Sequence, residues 1–430
     1  MGFNITKIFF LLLLSLVIYS CKKEKDEVKP VIVLDSPADK ESFKVFDEIP
    51  ISGTVEDDIH IEFVRISLLD ENQKTAASGI AINPTGKKLN FTRGIALNDV
   101  NMESGLYYLA VTASDGINEH KLFRYVYISE ASQKRKGIFV ITSDGLTTRA
   151  ELIDSTGLVN SYTSFYGDYS GSAISAYYQT LSVAGSKTGD MTCINLSDKS
   201  VKWKIPTTHQ SYPTFTNIEY IDRWNHLSYY EEGTMKAYFD NGSVRTNFKA
   251  INGFYSKKLI NMDTHLISYQ ESFTGEMKKL VTYNKSTGLF YHDLSVAFEV
   301  VDFCQLTGMN VLAFGNQENA GVLKIYDSHV NNERETVALP AGKIACAAKL
   351  NENEYMFSNE NGLYIYHYMS NSTSLFKSGN FTHFAYDDLN DQVIAVTNNQ
   401  ILIYNYNSGT LISTYSFGGE VRKVLPWYNK

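Results

Sequence analysis

Cysteine is scarce, with four in 430 residues. Once Cys21 is set apart, Cys193, Cys304 and Cys346 can close one bridge at most, so no disulfide framework exists and stability must come from apolar cores. Basic blocks are lacking too. The net charge is -8 and the longest basic cluster is Lys134-Arg135-Lys136, which offers nucleic-acid phosphates no attractive face; nucleic acid is not an expected partner. Familiar chemical motifs are also missing. The nine histidines, among them His209, His226, His265, His292 and His383, never fall at metal-ligand spacing. No Gly-x-Ser-x-Gly elbow occurs, and Gly185-Ser186-Lys187-Thr188-Gly189 lacks the Gly-Lys order of a phosphate loop. The expectation is therefore no catalytic residue, no metal and no cofactor. With 43% hydrophobic residues, the chain has ample material for two or three domains with real cores.

The one long apolar run is N-terminal. Lys7 precedes Ile8 to Leu14, and the run continues through Ser15 to Ile18; it is too short to span a bilayer as a helix and reads as a signal-peptide core. It ends in Ile18-Tyr19-Ser20-Cys21, with an aliphatic residue at minus three and a small one at minus one. This resembles the lipobox of bacterial lipoproteins, and the resemblance implies cleavage of residues 1–20 and a lipid on Cys21. Lys22-Lys23-Glu24-Lys25-Asp26-Glu27 follows, a charged stretch with nothing to bury, so 21–29 reads as a lipidated cysteine and a solvated tether. Its Lys/acidic pattern is similar to the export signals of Bacteroidetes surface lipoproteins. The resemblance implies a cell-envelope protein held by its lipid at the outer membrane, exposed on the cell surface.

From 30 to 129 the chain alternates with period two in short bursts such as Val31-Ile32-Val33-Leu34 and Phe63-Val64-Arg65-Ile66-Ser67-Leu68. Gly105 to Ala113 runs into the turn Ser114-Asp115-Gly116 and returns as Phe123 to Ile128, a closing hairpin. The Ser36-Pro37 start, the Ile51 to Asp58 strand and turn and the Ser104-Gly105-Leu106-Tyr107 strand start resemble bacterial immunoglobulin-like modules, which implies a β-sandwich spacer. Glu56, Asp57 and Asp58 are acidic enough for calcium, but no spaced set of oxygen ligands accompanies them, and they read as a solvated loop. Residues 130–136 form a linker.

From 137 to 430 the chain repeats itself. Leu152-Ile153-Asp154, Cys193-Ile194-Asn195, Tyr238-Phe239-Asp240, Tyr283-Asn284, Ile325-Tyr326-Asp327, Ile365-Tyr366-His367 and Ile403-Tyr404-Asn405 recur at roughly 38 to 45 residues, the spacing of a four-stranded unit. Turns such as Ser155-Thr156-Gly157 and Asn407-Ser408-Gly409 follow them. The first repeat starts at Gly137 to Thr142, which matches the second strand of the others, and Gly418 to Trp427 matches the missing first strand. The expected fold is all-β: an immunoglobulin-like β-sandwich, then a seven-bladed β-propeller closed by its C-terminal strand. The Asp/Asn-x-x-Ser/Thr-Gly turn is similar to that of quinoprotein-like and surface-layer-type propellers. Most repeats lack the tryptophan that follows this turn in quinoprotein blades, so no quinone cofactor is carried over.

Propellers bind at channel mouths and on loops. Asp387, Asp388 and Asp391 fall on a turn that is polar in every repeat and read as solvated. Among the aromatic groups Tyr177-Tyr178, Tyr229-Tyr230, Tyr166, Tyr169 and Trp224, the last three sit in loop-like stretches and are the binding candidates. The function expected is a membrane-anchored, non-enzymatic platform that binds a glycan, peptide or envelope-protein partner through its propeller. The alternative is an envelope hydrolase or lyase at the channel mouth, which needs two acids, or an acid and a histidine, across one pocket.

Overall fold

The computed structural model describes residues 26–208, 211–306 and 308–430, with only the backbone of 334–336. The signal segment, Cys21, most of the tether and His209 lie outside the described residues. These residues form 36 strands and no helix, in two compact units that divide between Ser132 and Gln133.

The N-terminal unit packs two sheets around one core. Val31–Ser36, Glu48–Ile61 and Gly86–Ala96 make the first, and Glu41–Lys44, Glu119–Ser129, Gly105–Ser114, Phe63–Leu69 and Ile80–Ile82 the second. Alternation decides the inward faces: Ile49, Ile51 and Val55 from one sheet and Val64, Ile66, Leu68, Leu109 and Val111 from the other are almost wholly buried. The acidic triplet departs from a solvated loop. Asp57 is only 8% exposed and sits within strand Glu48–Ile61.

The C-terminal unit contains seven four-stranded antiparallel sheets. In chain order we number them one (135–166 with 420–428), two (171–205), three (215–249), four (254–295), five (299–338), six (344–378) and seven (383–416). Each meanders outward from an inner strand, and in sheet one that inner strand is Glu420–Tyr428. It pairs antiparallel with Arg135–Ser143, Leu425 opposite Phe139 and Val421 opposite Thr142. The inner strands contact one another in a cycle, from sheet one through sheet seven and back to one. One apolar cluster lies between each neighbouring pair, for example Leu312, Phe314 and Phe357 between five and six, and Val140, Ile394 and Val424 between seven and one. This architecture is a β-propeller.

Burial follows the radius. Middle strands such as Thr180–Ala184 are buried on both faces because a sheet stacks on either side, whereas outer strands such as Val159–Tyr166 are largely exposed. The repeating turn has a local cause as well. Asn284 Oδ1 accepts from Ser286 N at 3.1 Å and Thr287 N at 3.0 Å, and Gly288 then takes a φ of 75° that a side chain would resist.

The ring seam has its own polar lock. Asp387 is fully buried, pairs with Arg135, and accepts from Tyr428 Oη at 2.8 Å and Asn390 Nδ2 at 2.7 Å. The solvated turn expected there holds for Asp388 and Asp391, which are exposed, and fails for Asp387. Sequence distance hid the cause, since Arg135 and Tyr428 come from the opposite ends of the unit.

Candidate functional site

Antiparallel meanders divide the turns between two faces. Turns joining first to second and third to fourth strands open on one face, and turns joining second to third, with the connections between sheets, open on the other. The unit's two ends, Arg135 and Tyr428, pair on the first face.

Five inner strands shift register near their start, between Phe215 and Asn217, Ser256 and Lys258, Val300 and Asp302, Ile344 and Cys346, and Val421 and Lys423. A bulge re-aims the side chain that follows it, and three of these residues are charged. Lys258 Nζ lies 2.8 Å from Asp302 Oδ1 and 3.9 Å from Glu219 Oε1, while Asp302 Oδ2 accepts from Ala347 N at 2.9 Å. Lys423 Nζ donates to Ser172 O at 2.8 Å. These contacts cross from sheet to sheet: Lys258 on the inner strand of sheet four meets Asp302 on that of five and Glu219 on that of three, and Lys423 on that of one meets Ser172 on that of two. Burial pushes the Lys423 ammonium down, and Lys258 adds to that. Burial would lower Lys258 too, yet Asp302 and Glu219 hold it above its ordinary value. His383, on the inner strand of sheet seven, is pushed down to about 3 by burial and then by Lys423 and Lys258, so its ring is neutral. Burial pushes the Cys346 thiol up to about 12, which leaves it a poor nucleophile. The inner strands of sheets one, three, four and five thus contribute two lysines and two carboxylates to polar contacts between sheets.

The second face carries the aromatic assembly. Tyr230 lies 6.1 Å from Tyr212, 4.6 Å from Tyr255 and 5.0 Å from Phe273 between ring centroids, and the Tyr255 and Phe273 rings are stacked within 23°. Tyr230 and Phe273 occupy equivalent turns of sheets three and four, just after the second strand. Phe273 is 43% exposed although aromatic. Carboxylates rim the patch: Tyr212 Oη donates to Glu231 Oε1 at 2.9 Å, and Glu271 pairs with Lys257 at 2.8 Å. Glu231 also borders a cleft of about 320 Å³ whose walls include Pro206, Thr208, Tyr229, Lys236 and Tyr238. That volume is enough for a small ligand or one end of a chain.

The three candidates from the sequence are not brought together. Trp224 begins a second strand on the opposite face, packed edge-on against Phe239 at 4.8 Å with the Arg245 guanidinium 4.8 Å over its ring. Tyr169 packs beside Phe165 and Leu181, and its hydroxyl lies 3.0 Å from Ser172 Oγ. Burial pushes that phenol up. Tyr166 is on the second face and 85% exposed, but at the rim, ending an outermost strand. Of the residues that do assemble, only Tyr230 stood out in the sequence. Its counterpart Phe273 was findable by aligning the turns after each second strand.

The chain matches no protein-family profile and no curated protein. Among solved structures, a Lactobacillus plantarum protein aligns over 68% of this chain and 99% of its own at 14% identity, with a TM-score of 0.53. That likeness is one of fold. A quinonprotein alcohol dehydrogenase-like protein from Bacteroides thetaiotaomicron aligns over 93% of this chain and 99% of its own at 10% identity and a TM-score of 0.48. A β-propeller domain from Myceliophteria thermophila covers 59% of this chain and 88% of its own at 12% identity and a TM-score of 0.46.

Proposed function

We propose that this chain is a lipid-anchored cell-envelope protein whose propeller binds a glycan, without turning it over, on the face that carries Tyr212, Tyr230, Tyr255 and Phe273. The observation that carries the reading is that aromatic patch beside an acid-rimmed cleft. Sugar rings present apolar C–H faces that stack on aromatic rings and hydroxyls that donate to carboxylates, and Glu231 stands where both needs meet. The remaining parts of the reading have separate supports. Seven sheets with seven interface clusters, where an open fan would have six, support a closed seven-bladed ring. Two sheets around one core, the second containing the Gly105–Ser114 to Glu119–Ser129 hairpin, support an immunoglobulin-like spacer at 30–129. The Ile18 to Cys21 sequence supports the lipid anchor and the outer-membrane location.

The test is binding of envelope polysaccharides by the purified chain. Tyr230→Ala and Phe273→Ala are expected to weaken binding by about tenfold or more each, with melting unchanged. Binding that is indifferent to both substitutions overturns the site, and release of reducing ends from the polysaccharide overturns the non-enzymatic reading. Cys21→Ser tests the anchor, with a shift from membrane to soluble fraction expected.

A further inference from the structure

We propose that Asp26, Asp57 and Asp58 bind a calcium ion that clamps the start of the N-terminal unit to strand Glu48–Ile61. One carboxylate oxygen from each of the three lies within 4.8 Å of the other two. Proximity alone is common on acidic surfaces, and the argument rests on Asp57. That residue is only 8% exposed, and its Oδ2 is buried with no hydrogen-bond partner. A carboxylate oxygen withdrawn from water normally finds a donor or a cation. Its other oxygen is committed, accepting from Ile59 N and His60 N at 2.9 Å each, so the group is held in place.

Among the described residues no basic side chain pairs with the trio. The nearby Lys87 ammonium donates to the Asp58 backbone carbonyl at 2.6 Å. Asp26 is positioned independently of any metal. Asn118 Nδ2 donates to Asp26 O at 3.2 Å and to Val28 O at 3.0 Å, and Asn118 is itself fixed by Asp115, which is 1% exposed. All-oxygen donors without histidine or cysteine select a hard cation, and the irregular, partly exposed arrangement suits calcium, which takes six to eight oxygens loosely, over magnesium, which demands an octahedron. Water and backbone carbonyls would complete the shell.

The test uses the full chain stripped with chelator and titrated with calcium chloride, read by calorimetry and thermal melting, with magnesium chloride as a second arm. One calcium per chain is expected, in the range of roughly 10⁻⁴ to 10⁻³ M typical of extracellular modules, with the melting midpoint rising as calcium is added. Asp57→Asn and Asp26→Asn should each weaken binding by about tenfold or more. Asp26→Asn lies ahead of the first strand and leaves the core intact, so its effect cannot come from misfolding. No saturable calcium binding, or binding unchanged in both variants, overturns the proposal. Magnesium bound as tightly as calcium overturns the choice of ion.

Discussion

The two units bury apolar surface in opposite ways. In the N-terminal unit, two sheets share one continuous core, so Ile51, Leu68 and Leu109 all answer to the same packing problem. In the propeller, each interface has its own cluster, and a fault in one is felt mainly by the two sheets it joins. The first design concentrates stability in one place. The second distributes it and then depends on the seam, where the unit's first and last strands must find each other.

That contrast can be broken or sharpened by experiment. The largest effect is expected at the seam: Asp387→Ala leaves Arg135 without its buried partner and should cost about 3–5 kcal/mol in denaturant unfolding of the propeller, with the N-terminal unit unaffected. A propeller as stable as the parent would refute the dependence on closure. Leu109→Ala should destabilise the N-terminal unit by about 2–5 kcal/mol and leave the propeller transition in place. Acid supplies a third handle. His226 is pushed by burial to about 4 and His383 to about 3, against an ordinary 6.5, so below pH 6.5 the unfolded chain takes up protons that the folded one refuses. The contribution of both to propeller stability is present above pH 6.5 and lost as pH falls toward those values. His383→Gln should flatten the pH dependence of the propeller's melting midpoint; an unchanged slope would contradict it. The smallest effect is expected at a repeat turn, where Asn284→Ala removes the acceptor for Ser286 and Thr287 and should cost about 1 kcal/mol by thermal melting.

The all-β class and the propeller were legible because they depend on local, repeated features: period-two strands, Asx turns with a following glycine, and a spacing that recurs. The order of the strands was legible in the mismatch between Gly137 to Thr142 and the other repeat starts. What eluded the sequence depends on which repeat lies beside which. Asp387 reads as one more polar turn until Arg135 and Tyr428 are brought to it across the seam. Tyr255 and Phe273 carry no mark of their own until Tyr230 from the preceding sheet is brought against both rings. Trp224 misled for the converse reason, since a loop-like sequence can still deliver a ring into a neighbour's packing. Asp57 was judged without Asp26, which is 31 positions earlier and meets it only in the folded unit.

The pairing of Leu425 with Phe139 also imposes an order of events. Those residues are 286 positions apart (425 minus 139), and joining their strands before the intervening sheets exist would close one very long loop for little return. Once six sheets have stacked, the same partners face each other across a single gap. The ring should therefore zip last at this joint and breathe first there, exposing for those moments the inner edge of Arg135–Ser143 as a template for a stray strand. The seam is where the molecule keeps time, and also where it is most open to a mistaken partner.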